Sequence, residues 1–441
     1  MAKQRLAFIR TFGCQMNERD TETIRGLLAQ AGYGFTEHPA AADLVLFNTC
    51  CVRENPERKV YGQVGQLKEA KAKKPDMIIG ICGCMPQQQE ELTQMLNRLP
   101  HVDLFFGTHN IHRLPELLHK IATTGEQVVE IWDKGGDPIE GLPALRDSTF
   151  KAWVTIMYGC NNFCSYCIVP YVRGRERSRH PHEIWREVEG LADKGIKEIT
   201  LLGQNVNSYG QDLEIEVDFA DLLDRLNQVP GIERIRFTTS HPKDISDKLI
   251  LHLAQLEKVC EHLHLPVQAG SNDVLHRMNR RYTREDYLKV VDKVRHYVPD
   301  ISLTTDIMVG FPGETEADFA DTLSLVREVG YDSAFTFIYS PRKGTPATEM
   351  PDQVPEDVKK ERIYRLIELQ NKMSLERNTK LLGRELQVLA EGISRNDTNM
   401  LTGKTRTAKN VVFPGRQELI GELVNVRITE AHTWSLGGEL A

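Results

Sequence analysis

The clearest chemistry lies in the run Gly159-Cys160-Asn161-Asn162-Phe163-Cys164-Ser165-Tyr166-Cys167, a C-x3-C-x2-C spacing directly after an apolar, β-branched segment. Three thiolates this close in sequence can hold three irons of a cubane cluster and leave the fourth iron open to another molecule. Structural zinc competes, but zinc takes four ligands, typically as two separated pairs, and the fourth here would have to come from a residue such as His180 or His182. A second triplet is dispersed. Cys14 follows the apolar segment 6–9, Cys50 follows 44–47, and Cys84 follows 77–81. If these segments are parallel strands of one open sheet, their carboxyl ends face a common crevice and three distant thiols meet at one rim. Alternation sends Cys82 into a packed face, whereas Gly83 frees the backbone to present Cys84. Pattern alone does not choose between Cys50 and Cys51. Cys51, Cys82 and Cys260 read comfortably as small buried apolar residues.

The elements that must position these thiols alternate along the chain. Strand candidates at 6–9, 44–47, 77–81 and 102–105 are followed by helical stretches at 17–30, 56–73, 87–96 and 111–121, which predicts a doubly wound parallel sheet. Residues 123–148, with Gly135-Gly136, Pro138, Gly141 and Pro143, read as a linker. A second series has strand candidates at 152–157, 198–202, 234–238, 263–267, 302–309 and 334–338. Helices at 182–194, 218–226, 284–297 and 316–329 separate them, and a polar helix at 355–379 leaves the unit. Six such units suggest a partial (β/α)6 barrel with its chemistry at the carboxyl ends of the strands. The remaining residues form short alternating runs at 385–390, 410–413 and 419–428, with turns expected at Gly392, Gly403, Gly415 and Gly421. They predict a small five-stranded β-barrel. The expected division is 1–122, a linker over 123–148, a core over 149–376 and a β module over 377–441.

Composition bounds the class. The 441 residues are 40% hydrophobic and 27% charged, as in a folded globular protein. No window approaches the roughly 18 uninterrupted apolar residues of a membrane span, and residues 1–10 show no secretory apolar core, so no membrane partner and a cytoplasmic location are expected. Nine cysteines in such a chain argue for metal or redox chemistry rather than disulfides. The net charge of −7 argues at first sight against nucleic acid.

The first triplet resembles that of the radical S-adenosylmethionine (SAM) superfamily, in which SAM chelates the open iron and is cleaved to a 5′-deoxyadenosyl radical. The resemblance implies SAM contacts at the strand ends: Gly203, Gln204 and Asn205 after the second strand, Ser240 after the third, Gln268 after the fourth, and Asp306 on the fifth, ahead of the turn 310–315. Over the whole chain the sequence is similar to the methylthiotransferase family. The similarity is carried by Thr11-Phe12-Gly13-Cys14-Gln15-Met16-Asn17, Asn48-Thr49-Cys50-Cys51-Val52-Arg53, Gly83-Cys84-Met85-Pro86, 158–179 and 305–315. This family likeness implies two [4Fe-4S] clusters, one on Cys160, Cys164 and Cys167 and an auxiliary one on Cys14, Cys50 and Cys84. It also implies a C-terminal TRAM-like RNA-binding module.

Within the family, 156–164, 168–176 and 265–268 look most like the branch that methylthiolates C2 of N6-isopentenyladenosine (i6A) at tRNA position 37. One SAM would donate a methyl group to sulfur at the auxiliary cluster, and the other would give the radical that takes hydrogen from C2. The implied partners are the i6A-containing anticodon stem-loop, an electron donor such as flavodoxin or ferredoxin, and a sulfur source, with a monomer expected. The alternatives are methylthiolation of threonylcarbamoyl-adenosine or of a ribosomal-protein aspartate, or a non-catalytic RNA-binding iron–sulfur protein.

Local charge reconciles RNA with an acidic chain. Arg173, Arg175, Arg177 and Arg179 stand against Glu176 alone, giving +3, and Arg277, Arg280, Arg281 and Arg284 give +4. Residues 377–441 carry +2 and include Lys404, Arg406 and Lys409 ahead of Phe413. These runs are the expected phosphate contacts, with Arg173, Arg175, Arg177, Arg280 and Arg281 at the barrel mouth.

Overall fold

The computed structural model describes residues 4–51 and 54–441. Val52 and Arg53, part of one family-like segment, lie outside the described residues. The N-terminal unit contains β1 (Leu6–Thr11), α1 (Gln15–Gln30), β2 (Gly34–Phe35), β3 (Leu44–Thr49), α2 (Glu54–Lys73), β4 (Ile78–Gly83), α3 (Gln89–Arg98), β5 (Leu104–Phe106), α4 (Leu114–Thr124) and β6 (Val128–Glu130). Its six strands form one parallel sheet in the order β2-β1-β3-β4-β5-β6. β3 is buried along its whole length, as a strand covered on both faces must be. Sequence patterning misses β2 and β6. β6 claims residues expected to be linker.

The central unit begins with β7 (Lys151–Thr155), β8 (Met157–Tyr158), α5 (Val169–Val172), β9 (Arg177–Ser178) and α6 (Pro181–Ala192). It continues through β10 (Glu198–Leu202), α7 (Phe219–Asn227), β11 (Arg234–Phe237), α8 (Asp247–Gln255), β12 (His262–His264), α9 (Asn272–Arg277), α10 (Arg284–Tyr297), β13 (Ser302–Val309), α11 (Glu316–Val329) and β14 (Ser333–Ile338). It ends in α12 (Glu356–Thr379). Six of the strands form two parallel three-stranded sheets, β11-β10-β7 and β12-β13-β14, joined by a bridge from Ile235 to Val259, and β8 and β9 pair antiparallel. The result is an open part-barrel around one large apolar core. Helix starts are chemically marked: Asp218, Thr283 and Thr315 each close a capping box with an Asp three residues on.

The last unit comprises β15 (Glu385–Ile393), β16 (Met400–Thr405), β17 (Asn410–Pro414), β18 (Leu423–Ala431) and β19 (Leu436–Leu440), closed as a barrel in the order β15-β16-β17-β19-β18. Two expected turns are strand positions instead. Gly392 lies at a bulge in β15, and Gly403 lies within β16, where a side chain would meet the Leu389 carbonyl. No described helix is long and apolar enough to cross a membrane.

A charge cluster locks the first two units together. Glu187 on α6 takes Arg19 of α1 at 3.1 Å, Arg146 at 3.1 Å and Arg179 at 2.7 Å, and Arg179 also grips Glu140 at 2.5 Å. Replacing Glu187 by Ala leaves three guanidinium groups sharing too little counter-charge. The expected cost is about 3 kcal/mol, the low end for a buried partner because Glu187 keeps some solvent contact. A urea midpoint equal to that of the parent protein would refute this account of the junction.

Candidate active site

Two cysteine rims sit at carboxyl ends of strands. In the N-terminal sheet, Cys14 caps α1 just past β1 and is exposed, Cys50 follows β3, and Cys84 follows β4. Glycines let these turns approach. At Gly13 (φ +123°) a side chain would collide with Cys50, and at Gly83 (φ +92°) with the Thr49 carbonyl, which accepts from Cys84 N at 2.8 Å. Asn17 ties two of the turns together by donating to Phe12 O at 2.9 Å and Thr49 O at 2.8 Å. Cys82 is buried in the apolar layer on the other side of the sheet, as alternation predicts. Cys51 is buried 1% exposed in the opposite layer beside Cys84. Its hydrogen bond, then the Arg173 charge, hold the Cys84 thiol down to about 6 against the effect of burial.

The second rim is the loop after β8. Gly159 (φ +76°) donates its N–H to the Gln204 side chain, Cys160 N donates to Gly174 O at 3.1 Å, and Phe163 (φ 47°) bends the loop back. Asn162 donates to Cys160 Sγ at 3.5 Å and Arg280 to Cys164 Sγ at 3.4 Å. Burial pushes the Cys160 thiol up to about 11 and Cys167 to about 12, so their ionised forms call for a cation. His180 caps α6, its Nδ1 accepting from His182 N. Among the described residues, no three His, Cys, Asp or Glu side chains converge on one point as ligands of a single ion would. Thiolates that each take a different iron of a cubane stand further apart than that.

The neighbouring strand ends carry an unfinished polar cradle. Asn205 Oδ1, Asn207 Oδ1, Ser240 Oγ and His241 Nε2 are buried without a hydrogen-bond partner, which a polar ligand would correct. Asn205 is fixed through its amide nitrogen to Asp244 at 2.8 Å, and Asn207 to His241 O at 3.2 Å. Burial, with Arg280 and Lys243, lowers His241 to about 2, so it stays neutral. Gly203 packs where any side chain would strike Met157. Gln268 (φ +70°) is held by Asp306 O at 2.8 Å, while the Asp306 carboxylate lies 3.6 Å from His264 Nε2. Asn207 is missed by strand-end reasoning because it sits two positions beyond the turn residues 203–205 that it selects.

Several expected phosphate contacts are corrected. Arg173 and Arg280 are only 5% and 4% exposed and point at the two rims, not at solvent. Arg406 grips Glu261 at 2.7 Å and Lys409 grips Asp332 at 2.7 Å, and Lys404 lies half-buried against the core near His262. The acids that neutralise Arg173, Arg406 and Lys409 come from distant elements. Arg177 is partly buried, donating to Gly136 O at 2.7 Å. Arg175, stacked 4.4 Å over Phe163, and Arg281 remain exposed.

Fold and rim together define a radical SAM protein with a C-terminal TRAM domain: residues 154–326 match the Radical SAM superfamily, 379–441 the TRAM domain, and 6–107 Uncharacterized protein family UPF0004. Membership of that superfamily brings SAM and a [4Fe-4S] cluster, and the donor set here fits both. The chain is 57% identical over 432 residues to a tRNA-2-methylthio-N(6)-dimethylallyladenosine synthase of Thermoanaerobacter sp. (strain X514), covering 98% of this chain and 92% of the relative. The synthase of the same name from Clostridium perfringens (strain SM101 / Type A) is 55% identical over 99% of this chain and 98% of its own. The chain belongs to this family of radical SAM methylthiotransferases. Among solved structures, the radical SAM methyltransferase TsrM from Kitasatospora setae shares the fold, with a TM-score of 0.56 at 14% identity over 78% of this chain and 77% of that one.

Because Gly159 has no room for a side chain beside the Arg175 carbonyl, Gly159→Ala should displace Cys160. Anaerobic reconstitution is expected to give one cluster fewer per chain. Gly190→Ala, in open space on α6, should load normally, and equal iron in both variants would contradict the steric account.

Proposed function

We propose that this protein methylthiolates C2 of N6-dimethylallyladenosine in tRNA, at position 37 beside the anticodon. The observation that carries the reading is the presence of two cysteine rims at strand carboxyl ends in a chain this similar to the named synthases. Cys160, Cys164 and Cys167 hold the radical-generating cluster, and Cys14, Cys50 and Cys84 hold a second, auxiliary [4Fe-4S] cluster. Gly203, Gln204, Asn205, Ser240, Gln268 and Asp306 surround SAM, with His241 and Asn207 added by their unpartnered polar atoms. The bound clusters and SAM supply a carbon radical and a methylthio group, chemistry that an unactivated aromatic C–H requires because no acid or base has a handle on it.

The chain's own contribution is placement. Gln204 anchors the cysteine loop through Gly159, Asn17 ties the turns that carry Cys14 and Cys50, and the neutral His241 offers a ring nitrogen without adding charge. The substrate adenine leaves its stack to enter the barrel mouth. The working divisions are 1–130, which takes in β6, 131–148, 149–376 and 377–441. An electron donor such as flavodoxin or ferredoxin and a separate sulfur source serve the enzyme, which acts as a monomer in the cytoplasm.

Reconstituted protein given SAM, reductant and tRNA containing the dimethylallyl nucleoside should yield a nucleoside heavier by a methylthio group. Alanine at Cys160, Cys164 or Cys167 should abolish 5′-deoxyadenosine, whereas alanine at Cys14, Cys50 or Cys84 should spare SAM cleavage and abolish sulfur insertion. Sulfur insertion by Cys14→Ala would overturn the auxiliary assignment, and product only from threonylcarbamoyl-adenosine or a ribosomal protein would overturn the substrate. Binding of the anticodon stem-loop should weaken with salt. Arg175→Ala and Arg281→Ala should each reduce the log–log slope by about one, and unchanged slopes would remove those residues from the interface.

A further inference from the structure

Arg173 lies six positions after the last cysteine of the radical triplet, yet its side chain ends in the other rim. The short helix α5 carries it out of the cysteine loop, and its Nη2 donates to Asn17 Oδ1 at 2.8 Å and Asp20 Oδ2 at 2.7 Å, both on α1. Asn17 is the residue whose amide holds the backbone ahead of Cys14 and Cys50, and the Cys14 thiol faces the same Asn17 oxygen at 3.8 Å. The Arg173 charge also acts on Cys84 and Cys14, two thiols of that rim. Its only carboxylate within ion-pair distance among the described residues is Asp20. A buried guanidinium with one acid and two cysteines for company is not a phosphate contact.

We infer that Arg173 is a positioning residue that places a fixed positive charge against the Cys14–Cys50–Cys84 rim and thereby raises the reduction potential of the cluster held there. The inference rests on the auxiliary-cluster reading. Each electron added to a thiolate-bound cluster makes it more negative, and a nearby cation shielded from salt favours that added charge. Because the cation comes from the radical loop, the potential of one site depends on a residue anchored beside the other. Asp20 has the opposite effect, so the two residues predict shifts of opposite sign.

The test uses the full chain with Cys160, Cys164 and Cys167 all changed to Ala, so that only the auxiliary site can load, and measures iron content and the midpoint potential by EPR-monitored titration. Against that parent, Arg173→Gln should shift the potential to more negative values, Arg173→Lys should largely restore it, and Asp20→Asn should shift it to less negative values. An unchanged potential in a fully loaded Arg173→Gln protein overturns the inference. If Arg173→Gln fails to fold or load, Asp20→Asn decides, and a potential that stays put or falls there also overturns it. A parent that binds no cluster at all overturns the auxiliary-cluster reading, whereas a loaded parent with unmoved potentials sinks this inference alone.

Discussion

The geometry of both rims depends on the ionic junction around Glu187. Burial alone would raise this carboxyl, but Arg179, Arg19 and Arg146 hold it below its usual range, so it stays charged where three segments meet. Arg19 belongs to the helix capped by Cys14, Arg146 to the connecting segment, and Arg179 to the chain just beyond the radical cysteine loop. Burying charges is expensive, and such a network gives little net stability over apolar packing. What it does provide is a single docking geometry, since any slippage of α1 against α6 strands an arginine. Glu22 marks the limit of that arrangement: burial pushes it up to about 7 even beside Arg19 and Arg146.

The two rims solve the same problem by similar means. Thiolates must be presented from tight turns, so each rim uses glycine at positive φ where a side chain would strike backbone or a neighbouring cysteine. Buried thiolates also need positive charge, and each rim receives one buried arginine. Arg173 serves the first, and Arg280 serves the second, where Tyr282 Oη at 2.9 Å and Pro266 O at 2.8 Å orient it toward Cys164. Neither arginine is drawn from its own rim's cysteine turns, so neither is visible as part of a cysteine motif.

Much of this was legible in the sequence, and the failures have a common cause. Strand–helix alternation, the exit helix and the closed five-stranded barrel follow from local periodicity and turn chemistry. The radical triplet is legible from spacing, and convergence of parallel strands singles out Cys14 and Cys84, but the choice of Cys50 over Cys51 came from the family resemblance alone. The arginine runs misled because a local charge count sees only neighbours in sequence. Asp20 lies 153 positions from Arg173, Glu261 lies 145 from Arg406, and Asp332 is also far along the chain from Lys409. Gly403 misled for a related reason, since close approach to Leu389 across the barrel looks like a turn when only the sequence is read.

The basic stretch of the C-terminal barrel then acquires a different role. Arg234 and Arg236, near the amino end of β11, donate to the carbonyls of Lys404, Thr405 and Arg406. Arg406 in turn reaches Glu261 just before β12, and Lys409 reaches Asp332 just before β14. All of these partners lie at the amino ends of the part-barrel strands, whereas the radical cysteine loop lies at the carboxyl end of the first. The stretch therefore seals the barrel at the end away from the chemistry, with Arg234 fully buried at the joint. Residues 404–409 thus spend their hydrogen bonds and charges on the part-barrel itself. Any RNA contact of the TRAM domain through residues 404–409 would have to compete with these internal partners.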